Sequence, residues 1–245
     1  MLKNFRHLAL STFMSAIALS AGGAQAGDTL FSGFYVRGEA GISIGGSTGT
    51  TAPESNGIPA IFDSSDLGTG AGFGVGLGAY VTDRFRTELL FTSRQGHDYS
   101  SEMPGAPIQV TAEADVASYA LMLGGIFDIH TFEIGQIKVT PNVSAMAGFA
   151  YNTTSDLTYT VAGLGNIVVD GGNTTNFAWG VGAGAGIALT DRISLDLGYR
   201  YSDLGDFETG RNIVSASVPA AFSLDKGWDG HYATHDILLG LRYKF

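Results

Sequence analysis

Along almost the whole chain, apolar side chains return at every second position, the period of a β-strand with one apolar and one polar face. The first such run sets Phe34, Val36, Gly38, Ala40, Ile42 and Ile44 against Tyr35, Arg37, Glu39, Gly41 and Ser43. A second sets Phe73, Val75, Leu77 and Ala79 against Gly72, Gly74, Gly76 and Gly78. A third sets Phe85, Thr87, Leu89 and Phe91 against Arg86, Glu88, Leu90 and Thr92. The fourth runs from Ala117 to Asp128, the fifth from Lys138 to Tyr151, the sixth from Phe177 to Leu189 and the seventh from Ile193 to Tyr201. The eighth, from about Ala233, is the cleanest: Leu239, Leu241, Tyr243 and Phe245 alternate with Gly240, Arg242 and Lys244. Eight strands are predicted.

The connections carry a second pattern. Strands two and three are joined by Thr82-Asp83-Arg84 and strands six and seven by Thr190-Asp191-Arg192, while a moderate stretch from His130 to Gln136 joins four and five. The other four connections, about 45–71, 93–116, 152–175 and 202–232, are long. Alternation of short and long connections, with about 10–12 residues per strand, is the pattern of a membrane-crossing barrel. A soluble sandwich has the same parity, so parity alone does not separate the two. Aromatic residues at strand ends (Phe34, Tyr151, Tyr199, Tyr201 and Tyr243) suit a membrane–water boundary and favour the barrel. The predicted fold is all-β: a monomeric, eight-stranded, antiparallel up-and-down transmembrane β-barrel with both termini on the periplasmic side.

The N-terminus points the same way. Lys3, Arg6 and His7 precede an apolar run from Leu8 to Leu19, and Ala24-Gln25-Ala26 has the small-x-small form of a signal-peptidase site. The run is shorter than the roughly 20 residues of a membrane-spanning helix. A cleaved signal peptide over 1–26 and a barrel domain over 27–245 are therefore expected. Without Lys3 and Arg6 the chain keeps 11 basic against 23 acidic residues, which argues against nucleic acid as a partner. The absence of cysteine excludes disulfides and thiolate metal sites.

The polar parity supplies the candidate functional residues. Arg37, Glu39, Arg86, Glu88, Asp128, Lys138, Asp196, Arg200, Asp236, Arg242 and Lys244 are all predicted to face inward. The interior of an eight-stranded barrel is only wide enough for side chains to fill it, so these charges must pair. Pairs of Glu39 with Arg242 and of Arg37 with Asp236 are expected, with Arg86 and Glu88 close by. The leading expectation is a lumen plugged by these pairs; the alternative is a narrow, porin-like path for ions or small solutes along the same charges. The glycines at 72–78 and 180–186 keep strand parity and have no helix after them, so they read as room for long neighbouring side chains and not as a nucleotide loop.

Other chemistry is thin. His97, His130, His231 and His235 are the candidate histidines of a lipid-modifying enzyme, but no serine stands at a telling spacing from His231, and any orienting partner must come from the fold. The long connections are acidic: Glu54, Asp63, Asp66, Asp98, Glu102, Glu113, Asp115, Asp156, Asp170, Asp203, Asp206, Glu208, Asp225 and Asp229 face only Arg94, Arg211 and Lys226. No spacing resembles a calcium loop. No metal site, cofactor or catalytic residue is assigned. The acidic loops, and an apolar stretch from Ile213 to Phe222, are candidate contacts for an extracellular ligand.

The stretches GFYVRGEAGISIG, YVTDRFRTELLF, YALMLGGIFDI, VTPNVSAMAGFAY and HDILLGLRYKF together resemble Gram-negative outer-membrane β-barrels of the opacity-porin-like group and the eight-stranded OmpA-like transmembrane domain. The resemblance covers the chain after residue 26 and implies a place in the cell outer membrane, with outer-membrane lipids and lipopolysaccharide around it. It identifies a structural class without an activity: a non-enzymatic barrel contributing to envelope integrity and surface interactions. It also implies that Phe245, with Tyr243, Leu241 and Leu239 at alternate positions before it, resembles the signal read by the barrel-assembly machinery.

Overall fold

In the computed structural model the described residues are 33–46, 64–102, 110–163, 165–216 and 227–245, and Gly33–Lys244 form one compact unit. The expected signal peptide, Glu54, Asp63, Asp225, Lys226 and the end of the apolar stretch at Phe222 lie outside the described residues. Thirteen strands are described: β1 (Phe34–Gly45), β2 (Ser64–Asp66), β3 (Thr69–Tyr80), β4 (Phe85–Glu102), β5 (Val110–Asp128), β6 (Phe132–Ile134), β7 (Ile137–Thr154), β8 (Leu157–Val161), β9 (Gly165–Val169), β10 (Gly172–Ala188), β11 (Ile193–Glu208), β12 (Ile213–Ala216) and β13 (Asp229–Lys244). Eight of them, β1, β3, β4, β5, β7, β10, β11 and β13, pair antiparallel in that order, and β13 pairs back onto β1 to close the barrel. Closure removes the sheet edges that a flat arrangement of these strands would expose.

The two Thr-Asp-Arg turns work alike. Thr82 Oγ1 accepts from the amides of Arg84 (3.3 Å) and Phe85 (3.0 Å), and Thr190 Oγ1 from those of Arg192 (3.2 Å) and Ile193 (3.0 Å). A threonine side chain thus stands in for backbone partners and holds each hairpin tight. The connection from His130 to Gln136 is itself a hairpin, in which β6 pairs with the start of β7 and Gly135 takes a positive φ of 65°.

Three of the connections read as long loops are largely strand. β4 continues to Glu102 and β5 begins at Val110, β8 and β9 occupy much of 152–175, and β11 and β13 extend into 202–232. Two features hid this. First, β4 and β11 each carry a bulge, between Arg94 and His97 and between Asp203 and Asp206, with Gly96 (φ 76°) and Gly205 (φ 74°) in the left-handed region. Each extra residue shifts the parity by one, so strict alternation breaks there. Second, the faces exchange chemistry. On β5 the outward positions are Phe127, Leu123, Leu121 and Tyr119 and then Asp115 and Glu113, while the buried ones, Asp128, Ile126, Met122, Ala120 and Ser118, are followed by the wholly apolar Val116, Ala114 and Ala112. β11 does the same, with outward Leu197, Tyr199 and Tyr201 followed by Asp203 and Asp206, and buried Asp196 and Arg200 followed by Leu204 and Phe207. The loop-side end of the barrel therefore has an apolar core, containing Leu67, Tyr99, Val116, Leu157, Leu204, Phe207, Trp228 and Tyr232.

Candidate functional site

The middle of the lumen is built from arginines and carboxylates on the inward parity of β1, β4, β5, β11 and β13. Glycine columns make space for them. A Cβ on Gly74 would stand 2.7 Å from Glu39 Oε1, and one on Gly76 2.8 Å from the Glu88 carboxyl carbon. An upper chain of ion pairs starts and ends on β4. Arg94 donates to Asp236 (2.6 Å), Asp236 lies 3.6 Å from Arg200, and Arg200 donates to Glu39 (2.7 Å). Glu39 then contacts Arg37 (2.8 Å), which donates to both oxygens of Glu88 (3.1 and 2.5 Å). Ser43 donates to Asp236 (2.6 Å), and Arg94 also donates to Ser202 (2.8 Å) and Thr92 (3.0 Å). The guanidinium fork of arginine suits such shared, bidentate pairing.

Two further pairs stand nearer the tight turns: Arg86 with Asp128 (3.3 Å) and Arg242 with Asp196 (3.1 Å). Arg242 also donates to the Tyr80 hydroxyl. The guanidinium groups of Arg86 and Arg242 each stand 5.6 Å from the centroid of the Tyr35 ring. A cavity of about 50 Å³, lined by Arg37, Glu39, Arg86, Ser144, Asp196 and Arg200 among others, has room for a few water molecules.

The eight predicted lumen residues, Arg37, Glu39, Arg86, Glu88, Asp196, Arg200, Asp236 and Arg242, all belong to these pairs, but their partners differ from those expected. Glu39 pairs with Arg37 and Arg200 instead of Arg242, and Arg37 with Glu39 and Glu88 instead of Asp236. The cause is register: Arg37 and Arg242 are direct cross-strand neighbours. Like charges set opposite each other repel, so the two side chains turn to carboxylates elsewhere, Arg37 to Glu39 on its own strand and Glu88 on β4, and Arg242 to Asp196 on β11. Lys138 and Lys244 are not lumen residues. Lys138 is exposed and 3.6 Å from Glu133 across the β6–β7 hairpin, and Lys244 is exposed with its ammonium 5.2 Å from the Tyr80 ring centroid. Arg94, read as a loop cation, is instead 1% exposed at the start of the upper chain. Its signal was present, since it continues the inward column of Arg86, Glu88, Leu90 and Thr92 by one step.

The histidines are dispersed. His97 is buried in β4 just past the bulge, its Nδ1 3.2 Å from the Leu67 carbonyl, and burial holds its pKa below the usual histidine range. His231 lies on the outer surface between two carboxylates, with Nε2 3.2 Å from Asp203 and Nδ1 3.0 Å from Asp206. Burial opposes its charged form, but the hydrogen bond to Asp206 and the charge of Asp203 outweigh it and raise its pKa. Among the described residues no group of three or more His, Cys, Asp or Glu is arranged to hold a metal ion.

A family model for the outer membrane protein β-barrel domain matches residues 11–245. The chain is 29% identical to the outer membrane protein PagN of Salmonella typhimurium over 224 residues, which cover 84% of this chain and 90% of PagN. Among solved structures it is similar to OprG of Pseudomonas aeruginosa, with a TM-score of 0.53 and 11% identity over 87% of this chain and 97% of OprG. It is also similar to the outer membrane protease OmpT of Escherichia coli, with a TM-score of 0.51 and 8% identity over 88% of this chain and 98% of OmpT. At these identities the two structures speak to the fold alone.

Proposed function

The chain belongs to the outer membrane protein β-barrel domain family, and from that membership we propose a non-enzymatic, non-conducting barrel that contributes to envelope integrity and surface contact. Its leader over 1–26 is removed on export, its termini face the periplasm, and Leu239, Leu241, Tyr243 and Phe245 are its address for the assembly machinery. Outer-membrane lipids and lipopolysaccharide surround it as a monomer, and its acidic outer face is open to extracellular ligands.

The observation that carries the reading is the neutrality of the lumen. Among the described residues, five arginines (Arg37, Arg86, Arg94, Arg200 and Arg242) meet five carboxylates (Glu39, Glu88, Asp128, Asp196 and Asp236), each within 3.6 Å of a partner of opposite charge. Moving an ion through such a layer means breaking buried pairs, at several kcal/mol each, and the apolar core at the loop end is a second barrier. In planar bilayers the purified protein is expected to give no stable channel. Stable openings whose conductance changes in Arg86→Ala or Glu88→Ala would replace this reading with the porin-like one. Unchanged lipid A mass spectra with and without the protein are expected, and a modified species that depends on His231 would make it an enzyme.

A further inference from the structure

On the outward surface, at the loop-side end of the lipid-facing band, one strip carries a constellation that the lumen does not use. Trp179 on β10, Tyr199 and Tyr201 on β11 and His235 on β13 form a row of rings across three adjacent strands. Trp179 and Tyr201 are 5.6 Å apart, Tyr201 and His235 5.2 Å, and His235 and Tyr199 5.9 Å and close to parallel at 28°. The Tyr199 hydroxyl is 2.6 Å from His235 Nδ1. Further towards the loops stand Asp203 and Asp206 on β11 and, beyond Ala233 on β13, the His231 that lies between them, while the next outward residue on β10 is the exposed Phe177. Towards the tight turns the same surface continues as Val181, Leu197 and Ile237, each roughly half exposed (46%, 50% and 58%).

Along β11 and its pairing with β13 three zones follow one another: aliphatic, then aromatic with an imidazole, then carboxylates around His231. An aromatic belt alone needs only rings to mark the membrane boundary. On β5 and β7 the boundary is marked by the cross-strand pair Tyr119 and Tyr151, with no imidazole. An imidazole hydrogen-bonded to a tyrosine on a lipid-facing surface is costly in hydrocarbon, so it marks a depth where polar groups arrive from the lipid side. Directly beyond it, carboxylates accept hydrogen bonds and cannot donate them. A molecule lying against the strip therefore needs an apolar tail, a flat ring with C–H faces to stack on aromatic rings, and hydroxyl or amide donors beyond the ring. A glycolipid presents these in that order. The net acidic character of Asp203, Asp206 and His231 disfavours a phosphate as the recognised group.

We propose that this strip seats the sugar headgroup of an outer-leaflet glycolipid, with its acyl chains along Val181, Leu197 and Ile237. The proposal rests on the partnership with lipopolysaccharide put forward above and gives it a place on the barrel. It does not depend on whether the lumen conducts, so bilayer conductance and glycolipid binding succeed or fail separately.

The test uses the full-length protein refolded in phosphatidylcholine nanodiscs, with rough lipopolysaccharide as probe and native mass spectrometry to count the molecules retained. Losing two ring contacts in Trp179→Leu/Tyr201→Leu is expected to lower retention about tenfold. The change to Asp203→Asn/Asp206→Asn, which leaves the rings in place, is expected to lower it severalfold. Tyr119→Leu/Tyr151→Leu, on the neighbouring strands β5 and β7 and outside the strip, is expected to retain lipopolysaccharide like the unmodified protein. Phosphatidylglycerol, which has tails and phosphate but no sugar ring, is expected to be indifferent to all three. Heat-modifiable migration on gels confirms that each variant is folded. Equal retention by all variants, an equal loss in the Tyr119/Tyr151 variant, or the same losses with phosphatidylglycerol would each overturn the proposal.

Discussion

Arg94 and Asp236 show how much a single residue decides inside a barrel this narrow. Both are 1% exposed, and Asp236 takes hydrogen bonds from Arg94 and Ser43 while Arg200 stands 3.6 Å away. Replacing Arg94 by methionine keeps the volume but leaves a buried carboxylate with only its weaker cation. Such half-broken pairs cost about 3 kcal/mol or more, whereas an apolar exchange of both partners is often neutral. Arg94→Met is therefore expected to lower the denaturant midpoint of the refolded barrel markedly, and Arg94→Met/Asp236→Leu to recover most of the loss. A double variant as unstable as the single one would mean that the network acts through more than this pair.

The histidine between Asp203 and Asp206 makes a pH-dependent contribution of defined sign. Only the imidazolium can donate from both nitrogens, and the carboxylates hold the folded-state pKa above the unfolded value of about 6.5. The stabilisation is therefore complete below that value and disappears as pH rises through the folded pKa. Over about pH 5 to 9 the thermal midpoint is expected to fall more for the unmodified protein than for His231→Gln. Parallel curves would show that the clasp contributes nothing.

At the scale of the strand, the glycine column of β3 is a set of specific accommodations. A methyl group on Gly78 would overlap the ring of Tyr35, which is itself 1% exposed, whereas one on Gly72 meets only Ser43 Cβ at 3.8 Å and Leu238 Cδ2 at 3.9 Å. Gly78→Ala is expected to destabilise by about 2 kcal/mol, the usual scale for overpacking, and Gly72→Ala by no more than a few tenths. Urea titrations of the two refolded variants give the comparison directly, and equal midpoints would refute the accommodation argument.

The same scale explains what was legible in the sequence. All eight barrel strands followed from period two, and so did their inward columns apart from Lys138 and Lys244, because between the bulges one face meets the lumen and the other the apolar surroundings. The reading stopped at Thr92 because Gln95 and Gly96 break the alternation in β4, and Arg94 was lost with them. Which charges pair was not legible at all. Several partners meet across the lumen from strands that are not neighbours, as Arg94 and Asp236 do, and Arg37 directly opposite Arg242 is an unfavourable neighbour that both side chains turn away from.

Taken whole, the molecule is one barrel in two solvents, and the exchange of faces marks where one ends. In the membrane a strand turns its apolar side outward; in water the same strand must turn it inward, as β5 does between Tyr119 and Asp115. The loop-side end is then a packed structure standing clear of the bilayer, with acidic side chains outside and alanine, valine and aromatic residues within. Because the chain has no cysteine, single substitutions along β5 report this without background. With a membrane-impermeant maleimide on intact cells, cysteines at 113 and 115 are expected to react quickly, since both positions are outward and beyond the aromatic boundary. Cysteines at 121 and 123 are expected to be silent because lipid covers them, and at 114 and 116 because the apolar core does. Fast reaction at 114 and 116 would mean that the loop end is open to water and that only the charged layer separates the two sides. Reaction at 121 or 123 would move the membrane boundary towards the tight turns, and with it the level assigned to Trp179, Tyr201 and His235. The pattern across these six positions therefore tests the position of the bilayer, the packing of the outer core and the depth of the glycolipid strip with one reagent.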